Sequence, residues 1–177
     1  MKDFSGYSLF LDRDGVLNER IVGGYVTRPE EFIIIDGVLD AMKTFAQVFN
    51  RIFIVTNQQG IGKGLMTEKD LQAIHAKLTS ALPFIDNIYH CPHLEKAHSF
   101  LRKPSIGMAL QARREHPGLR LKDCVMVGDS MTDMLFGRRA GMTTVLVGDN
   151  SDCAIEKPWL VDFKYGSLLE YALTLGN

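Results

Sequence analysis

In the stretch Leu9-Phe10-Leu11-Asp12-Arg13-Asp14-Gly15-Val16, an apolar run stops at two carboxylates two residues apart, and a glycine follows. Like charges this close repel unless they share a cation or a proton. At the end of a buried strand, the pair points to a site that binds a hard metal ion and makes one carboxylate a nucleophile. More polar groups close later apolar runs: Thr56-Asn57-Gln58-Gln59, then Lys103, then Gly128-Asp129 with Asp133 a helical turn on. Carboxylates suit Mg²⁺, which is hard and keeps several waters. A hydroxyl, backbone N–H groups and a lysine suit the non-bridging oxygens of a phosphoryl group. Together these types describe phosphoryl transfer, where positioning and charge neutralisation do most of the catalysis.

Apolar, β-rich runs would hold these groups at strand ends. The sequence predicts strands over Tyr7–Asp12, Arg51–Thr56, Ile85–Tyr89, Asp123–Gly128 and Thr143–Gly148, with a short one near Leu160–Phe163. Between them, Val38, Met42, Phe45 and Phe49 recur at helical spacing, as do Leu71, Ile74, Leu78 and Leu82. Thr67 with Asp70 forms a capping box for the second of these helices. Ser105 is the expected N-cap after Pro104, and Gly141 the expected stop of a helix beginning near Ser130. Strands alternating with helices imply an α/β fold, a Rossmann-like three-layer sandwich whose mostly parallel central sheet is covered on both faces. Ligands of such sheets bind beyond the carboxyl ends of the strands. Residues Asn18–Ile35, with Gly23-Gly24-Tyr25-Val26 and Pro29, read as a loop or small hairpin over the first strand end, and Cys91–Lys103 as a polar loop.

With 177 residues, no repeat and no linker, the expectation is a single domain over residues 1–177, acting as a monomer. The formal net charge of −1, with only short basic pairs such as Arg113-Arg114 and Arg138-Arg139, argues against nucleic acid as a partner. Cys91, Cys124 and Cys153 are widely spaced and odd in number, no signal peptide is evident, and no apolar stretch approaches the ~20 residues that span a bilayer. The chain is therefore expected in the cytoplasm, away from membranes. Gly60-Ile61-Gly62-Lys63-Gly64 lacks the spacing of a Walker phosphate loop and reads as a flexible loop before Thr67. Ser130-x-x-Asp133 also reads as a helix cap, a role compatible with one in the site.

The order Asp12-Arg13-Asp14-Gly15-Val16, Thr56-Asn57, Lys103, Gly128-Asp129 through Asp133 resembles the four motifs of the haloacid dehalogenase superfamily of phosphatases, from about Leu9 to Gly148. The resemblance implies that Asp12 attacks phosphorus and forms an aspartyl-phosphate. It implies that Asp14 protonates the leaving alcohol and then activates water, and that Thr56 and Lys103 hold the phosphoryl oxygens. By the same resemblance Mg²⁺ is held by Asp12, the backbone carbonyl of Asp14, and Asp129, with Asp133 orienting Lys103 or nearby waters. A narrower likeness rests on the Asp12–Asn18 segment, Gly24-Tyr25-Val26, Phe32 with Asp36-Gly37-Val38, Thr56 through Ile61, Cys91-Pro92-His93 and Arg102-Lys103-Pro104. These segments are similar to the heptose-bisphosphate phosphatases, which share a subfamily with the histidinol-phosphate phosphatases and lack a large cap domain. The substrate implied is a small phosphorylated metabolite, foremost a heptose bisphosphate. It would lie under Asn18–Tyr25, Thr56–Gln59 and Cys91–Lys103, with Tyr25, Asn57, Gln58 and Gln59 against it and Arg102 on its distal part.

The chain departs from that subfamily in three places. The zinc loop there has Cys-x-His followed by Cys-x-Cys; here Cys91 and His93 fill the first half, while Ser99 and Leu101 stand in the second. His98 and His90 are the other nitrogen donors nearby. A closed structural zinc site takes four N or S ligands, so zinc is expected to be lost and the loop to be held by packing of Phe100 and Leu101. Ser130 stands where the subfamily carries a lysine, and the loop before Tyr25 is longer. Histidinol phosphate or another small phosphomonoester is the alternative substrate, and a receiver-like phospho-accepting module the alternative class.

Overall fold

The computed structural model describes residues 4–149 and 156–176. Along the chain run β1 (Ser8–Leu11), α1 (Val38–Val48), β2 (Arg51–Asn57), the short α2 (Gln59–Gly62), α3 (Glu68–Ala81), β3 (Asn87–Cys91), α4 (Gly107–Glu115), β4 (Cys124–Gly128), α5 (Met131–Ala140), β5 (Thr143–Val147), β6 (Phe163–Tyr165) and α6 (Leu168–Leu173). The strands form one sheet in the order β3-β2-β1-β4-β5-β6, parallel at every pairing. Among the described residues every strand belongs to this sheet, and no cap domain stands over it.

Strand alternation sorts the core into two layers. Leu9, Leu11, Ile52, Ile54, Val125 and Val127 face one way, against Met42 and Phe45 of α1, Ile74 and Leu78 of α3, and Tyr171 of α6. Phe10, Phe53, Val55 and Met126 face the other way, against Met108 and Ala112 of α4 and Phe136 of α5. Each buried Val, Leu, Ile, Phe or Met side chain among them stabilises the fold by about 1.5–3 kcal/mol. That backing lets the central strands carry charged residues at their ends. Topology then fixes where those ends meet. From β1 the chain builds outward through β2 and β3, then crosses back to place β4 on β1's other side. The carboxyl ends of β1 and β4 are therefore neighbours at the point where the winding reverses, the usual ligand crevice of such a sheet.

Several boundaries differ from the sequence reading. The third strand runs Asn87–Cys91 rather than Ile85–Tyr89, because Asp86 turns back to β2, its carboxylate taking the Ile52 N–H at 2.7 Å. Pro158–Leu160 is a 3₁₀ turn, which moves the last strand to Phe163–Tyr165. Ser105 is not the cap of α4: its N–H bonds Arg102 O at 2.8 Å in a turn, Ile106 caps, and the helix starts at Gly107. Gly107 packs so closely on Phe100 that a Cβ would lie 2.3 Å from the Phe100 carbonyl oxygen. Residues Gly60–Gly62 are helical rather than loop, in a turn pinned by the Gly62 N–H on Pro92 O at 3.1 Å. Residues 18–35 form a loop with a single antiparallel bridge, Asn18 to Ile34, and a 3₁₀ turn at Pro29–Glu31. The Thr67–Asp70 capping box and the left-handed Gly141 stop stand as expected. Cys91 and Cys124 are buried free thiols, whereas Cys153 lies outside the described residues.

Candidate active site

Backbone bonds bring the strand ends together. The Asp12 N–H donates to Val127 O at 3.0 Å, seating Asp12 beside the end of β4. The Gln58 N–H donates to Cys91 O at 2.7 Å, seating the end of β2 beside that of β3. Just past β1 the chain coils on itself: the N–H groups of Leu17 and Asn18 reach Arg13 O, and the Gly15 N–H reaches Asn18 O. Gly15 turns at φ 89°, and a Cβ there would lie 2.1 Å from Asp129 Oδ2, so only glycine lets the two motifs close up.

Lys103 forms the centre of the floor. Its Nζ lies 2.8 Å from Asp12 Oδ1, 2.7 Å from Asp133 Oδ1 and 2.7 Å from Val55 O. Its backbone is clasped at both ends by the Asn57 amide: the Lys103 N–H donates to Asn57 Oδ1 at 3.0 Å, and Asn57 Nδ2 donates to Lys103 O at 3.1 Å. Burial alone would lower the lysine pKa, but the carboxylates of Asp12 and Asp133 outweigh it, and the ammonium stays charged. Asp133 both pairs with Lys103 and, through Oδ2, accepts from the Ser130 N–H at 3.1 Å and the Ser130 hydroxyl, so helix cap and site contact coincide. Gly128 makes room for this, because a Cβ there would meet Asp133 Cβ at 2.2 Å.

Asp14 is held differently. Arg13 Nη2 donates to Oδ1 at 2.9 Å, Asn18 Nδ2 to Oδ1 at 3.0 Å, and Gln58 Nε2 to Oδ2 at 2.8 Å. Burial would raise its pKa; the Arg13 charge and these hydrogen bonds reverse the direction and hold the carboxyl ionised. Arg13 is itself buried, and its Nη1 lies 3.3 Å from His75 Nε2. Gln58 Nε2 also donates to Thr56 Oγ1 at 2.8 Å, tying the threonine hydroxyl to Asp14.

Carboxylate oxygens of Asp12, Asp129 and Asp133 lie within 4.8 Å of one another. Burial, with the neighbouring carboxylates adding to it, pushes Asp12 up to about 7 and Asp129 up to about 6, although Lys103 and Arg20 pull the other way. A cluster so short of positive charge gains from a further cation, and an all-oxygen donor set fits a hard ion such as Mg²⁺.

Asp12 and Asp133 of this cluster face a cavity of about 360 Å³. Asp12, Asp14, Tyr25, Thr56, Asn57, Gln58, Gln59, Arg102, Lys103 and Asp133 all line it. The Tyr25 hydroxyl meets Gln59 Nε2 at 2.9 Å and Lys63 Nζ at 2.8 Å, and Arg102 Nη1 reaches His93 O at 3.5 Å. In the Cys91–Lys103 loop, His93 Nδ1 lies 2.8 Å from Ser99 Oγ and 3.9 Å from Cys91 Sγ. Phe100 does not anchor this loop: it is largely exposed, whereas Leu101 packs inward on the α4 side. The sequence reading placed Asn18 and Arg20 only within the loop over the substrate and singled out no side chain among Arg13, Asn18, Arg20 and His75. Arg13 lies inside the first motif, Asn18 ends the Asp12–Asn18 segment, and His75 follows Leu71 by four residues on the buried stripe of α3, so for these a signal existed. Arg20 carried none.

Comparison with known proteins follows the same lines. A family model described as HAD-hydrolase-like matches residues 100–160. A Mycobacterium bovis protein named D-glycero-alpha-D-manno-heptose-1,7-bisphosphate 7-phosphatase is 33% identical over 175 residues, covering 97% of this chain and 92% of that protein. A Helicobacter pylori protein named D-glycero-beta-D-manno-heptose-1,7-bisphosphate 7-phosphatase is 34% identical over 164 residues, 89% of this chain and 93% of its own. The crystal structure of D,D-heptose 1,7-bisphosphate phosphatase from B. bronchiseptica, complexed with magnesium and phosphate, superposes with a TM-score of 0.85 at 30% identity, covering 96% of this chain and 97% of that one. This chain belongs to the haloacid dehalogenase superfamily, in its heptose-bisphosphate phosphatase family. No helix among the described residues is long and apolar enough to cross a membrane.

Proposed function

We propose that this chain is a Mg²⁺-dependent phosphatase of the 7-phosphate of D-glycero-D-manno-heptose 1,7-bisphosphate, working through an aspartyl-phosphate on Asp12. The observation that carries the reading is the gathering of Asp12, Asp129 and Asp133 around one point beside the buried Lys103. In this reading Asp12, the backbone carbonyl of Asp14, and Asp129 hold the metal, which when bound neutralises charge on the phosphoryl oxygens.

The chain's own groups do the rest. Lys103 engages Asp12 Oδ1, which leaves Oδ2 to attack phosphorus in line. Lys103 and the Thr56 hydroxyl take the phosphoryl oxygens, and Asp133 keeps the lysine charged and in place. Asp14 is held ionised in the free protein, the state needed to take a proton from the water that cleaves the acyl-phosphate. For the first step it must carry a proton to the leaving alcohol, and a bound phosphate's negative charge shifts it that way. Gln58 keeps Asp14 and Thr56 in register, Asn57 fixes the Lys103 backbone, and Tyr25, Gln59 and Arg102 face the sugar and its distal phosphate.

The same proposal covers a single phosphatase domain over residues 1–177, acting as a monomer in the cytoplasm without nucleic acid or membrane. It also covers a Cys91–Lys103 loop held by the His93–Ser99 hydrogen bond and Leu101 rather than by zinc.

Phosphate release with Mg²⁺ tests the reading, on a panel holding both heptose 1,7-bisphosphate anomers and histidinol phosphate. A kcat/KM for one heptose anomer well above every other substrate is expected. No release from any heptose bisphosphate would overturn the substrate, and no release from any phosphomonoester would overturn the reaction.

A further inference from the structure

Arg20 has no part in the chemistry above, yet it touches the metal side of the site. Its Nη2 donates to Asp129 Oδ1 at 2.8 Å and to the Asp14 carbonyl oxygen at 3.0 Å. Those are two of the oxygens assigned to magnesium. The contact needs the open space at Gly15, where a Cβ would lie 3.5 Å from Arg20 Nε and far closer to Asp129. One cationic nitrogen thus bridges a carbonyl and a carboxylate. Magnesium binds oxygens at about 2.0–2.1 Å. An ion between the same two oxygens would overlap the guanidinium nitrogen and repel its charge.

We propose that Arg20 is a tethered counter-ion that bridges the Asp14 and Asp129 oxygens and is displaced when the metal binds, so that metal entry is an exchange of cations. The inference rests on Asp14 and Asp129 being the metal ligands. The side chain is free to leave. It is 48% exposed, and it starts a projecting turn where Val22 is 95% exposed and Gly23 adopts φ 71°. Glu19, one residue before, is anchored by its N–H on Ile33 O at 2.9 Å, so the displaced guanidinium stays tethered at the cavity wall.

The opposite role is that Arg20 aims Asp129 at the metal, and it predicts the opposite sign. Mn²⁺, used as the probe and titrated into the full chain with free ion read by electron paramagnetic resonance, separates the two. Arg20→Gln and Arg20→Met should each bind Mn²⁺ about two- to fivefold more tightly than wild type, the range an exposed ion pair can withhold. Added salt should narrow the gap. In thermal melts the variants should fall below wild type without metal and meet it at saturating Mn²⁺, a convergence that a purely structural role would not give. Unchanged or weaker Mn²⁺ binding in both variants would overturn the inference. Mn²⁺ binding undiminished by Asp129→Asn would remove the ligand assignment and the inference with it. Phosphate release by the wild-type chain judges the proposed reaction separately, whatever Arg20 does.

Discussion

Lys103 and Arg102 are consecutive residues on one loop, and their surroundings have little in common. Lys103 is 3% exposed, with oxygens of Asp12, Asp133 and Val55 all within 2.8 Å and its backbone clasped by Asn57. Arg102 is half-buried, and among the described residues its guanidinium reaches one protein oxygen, His93 O, at 3.5 Å. The same contrast separates the whole cavity floor from its rim. Floor groups spend their hydrogen bonds on one another, which fixes the geometry that phosphoryl transfer needs. Rim groups such as Arg102, and Tyr25 between Gln59 and Lys63, keep capacity for a ligand. A floor of this kind belongs to the reaction, and a rim of this kind to the choice of substrate.

Substitutions at the two levels should therefore fail in different ways. Asp12→Asn should cut kcat about a thousandfold or more while the chain stays folded, since the change is nearly isosteric. Retained turnover in a phosphate-release assay would remove Asp12 as nucleophile. Lys103→Met should lose both activity and stability, by about 3–5 kcal/mol in urea unfolding, because two buried carboxylates lose their counter-charge. Arg102→Ala should raise KM for a bisphosphate about tenfold and leave kcat near wild type, the signature of a contact made equally in ground and transition states. A fall in kcat alone would move Arg102 from the rim to the floor.

The last effect comes from beneath the floor. Burial, aided by the Arg13 charge, pushes His75 down to about 3, so the ring is neutral in the fold and Nε2 can accept from Arg13. The unfolded chain takes up that proton near pH 6.5. Stability from this group is full above pH 6.5 and drains as pH falls toward 3, by up to about 1.4 kcal/mol per unit. Urea melts between pH 7 and pH 4.5 should show wild type losing more stability than His75→Gln. Parallel losses would mean that the ring is not what couples Arg13 to pH.

Much of this was legible in the sequence where one rule dominated locally. Apolar runs ending in Asp12, Thr56 and Asp129 located the central strands, and the capping box at Thr67 and the glycine at 141 bounded their helices. Boundaries failed where a distant backbone decided them. The carbonyl of Phe100 delays α4 to Gly107, and the Asp86 carboxylate on the Ile52 N–H shifts β3. In the site, residue types were readable but their partners were not. Asn57 serves a lysine 46 positions on, and Gln58 serves an aspartate 44 positions back. Arg20, in a loop with no periodicity, finds Asp129 only through the fold.

The winding order of the sheet also has a consequence in time. A ribosome delivers Asp12, Thr56 and Lys103 well before it delivers β4 and α5. Until Asp133 and Asp129 emerge, the lysine has one of its two carboxylate partners and the carboxylate cluster does not exist. A nascent chain that stalls after β3 therefore holds the nucleophile and no working centre. Insertion of β4 beside β1, with α5 behind it, brings Asp129 and Asp133 to the lysine.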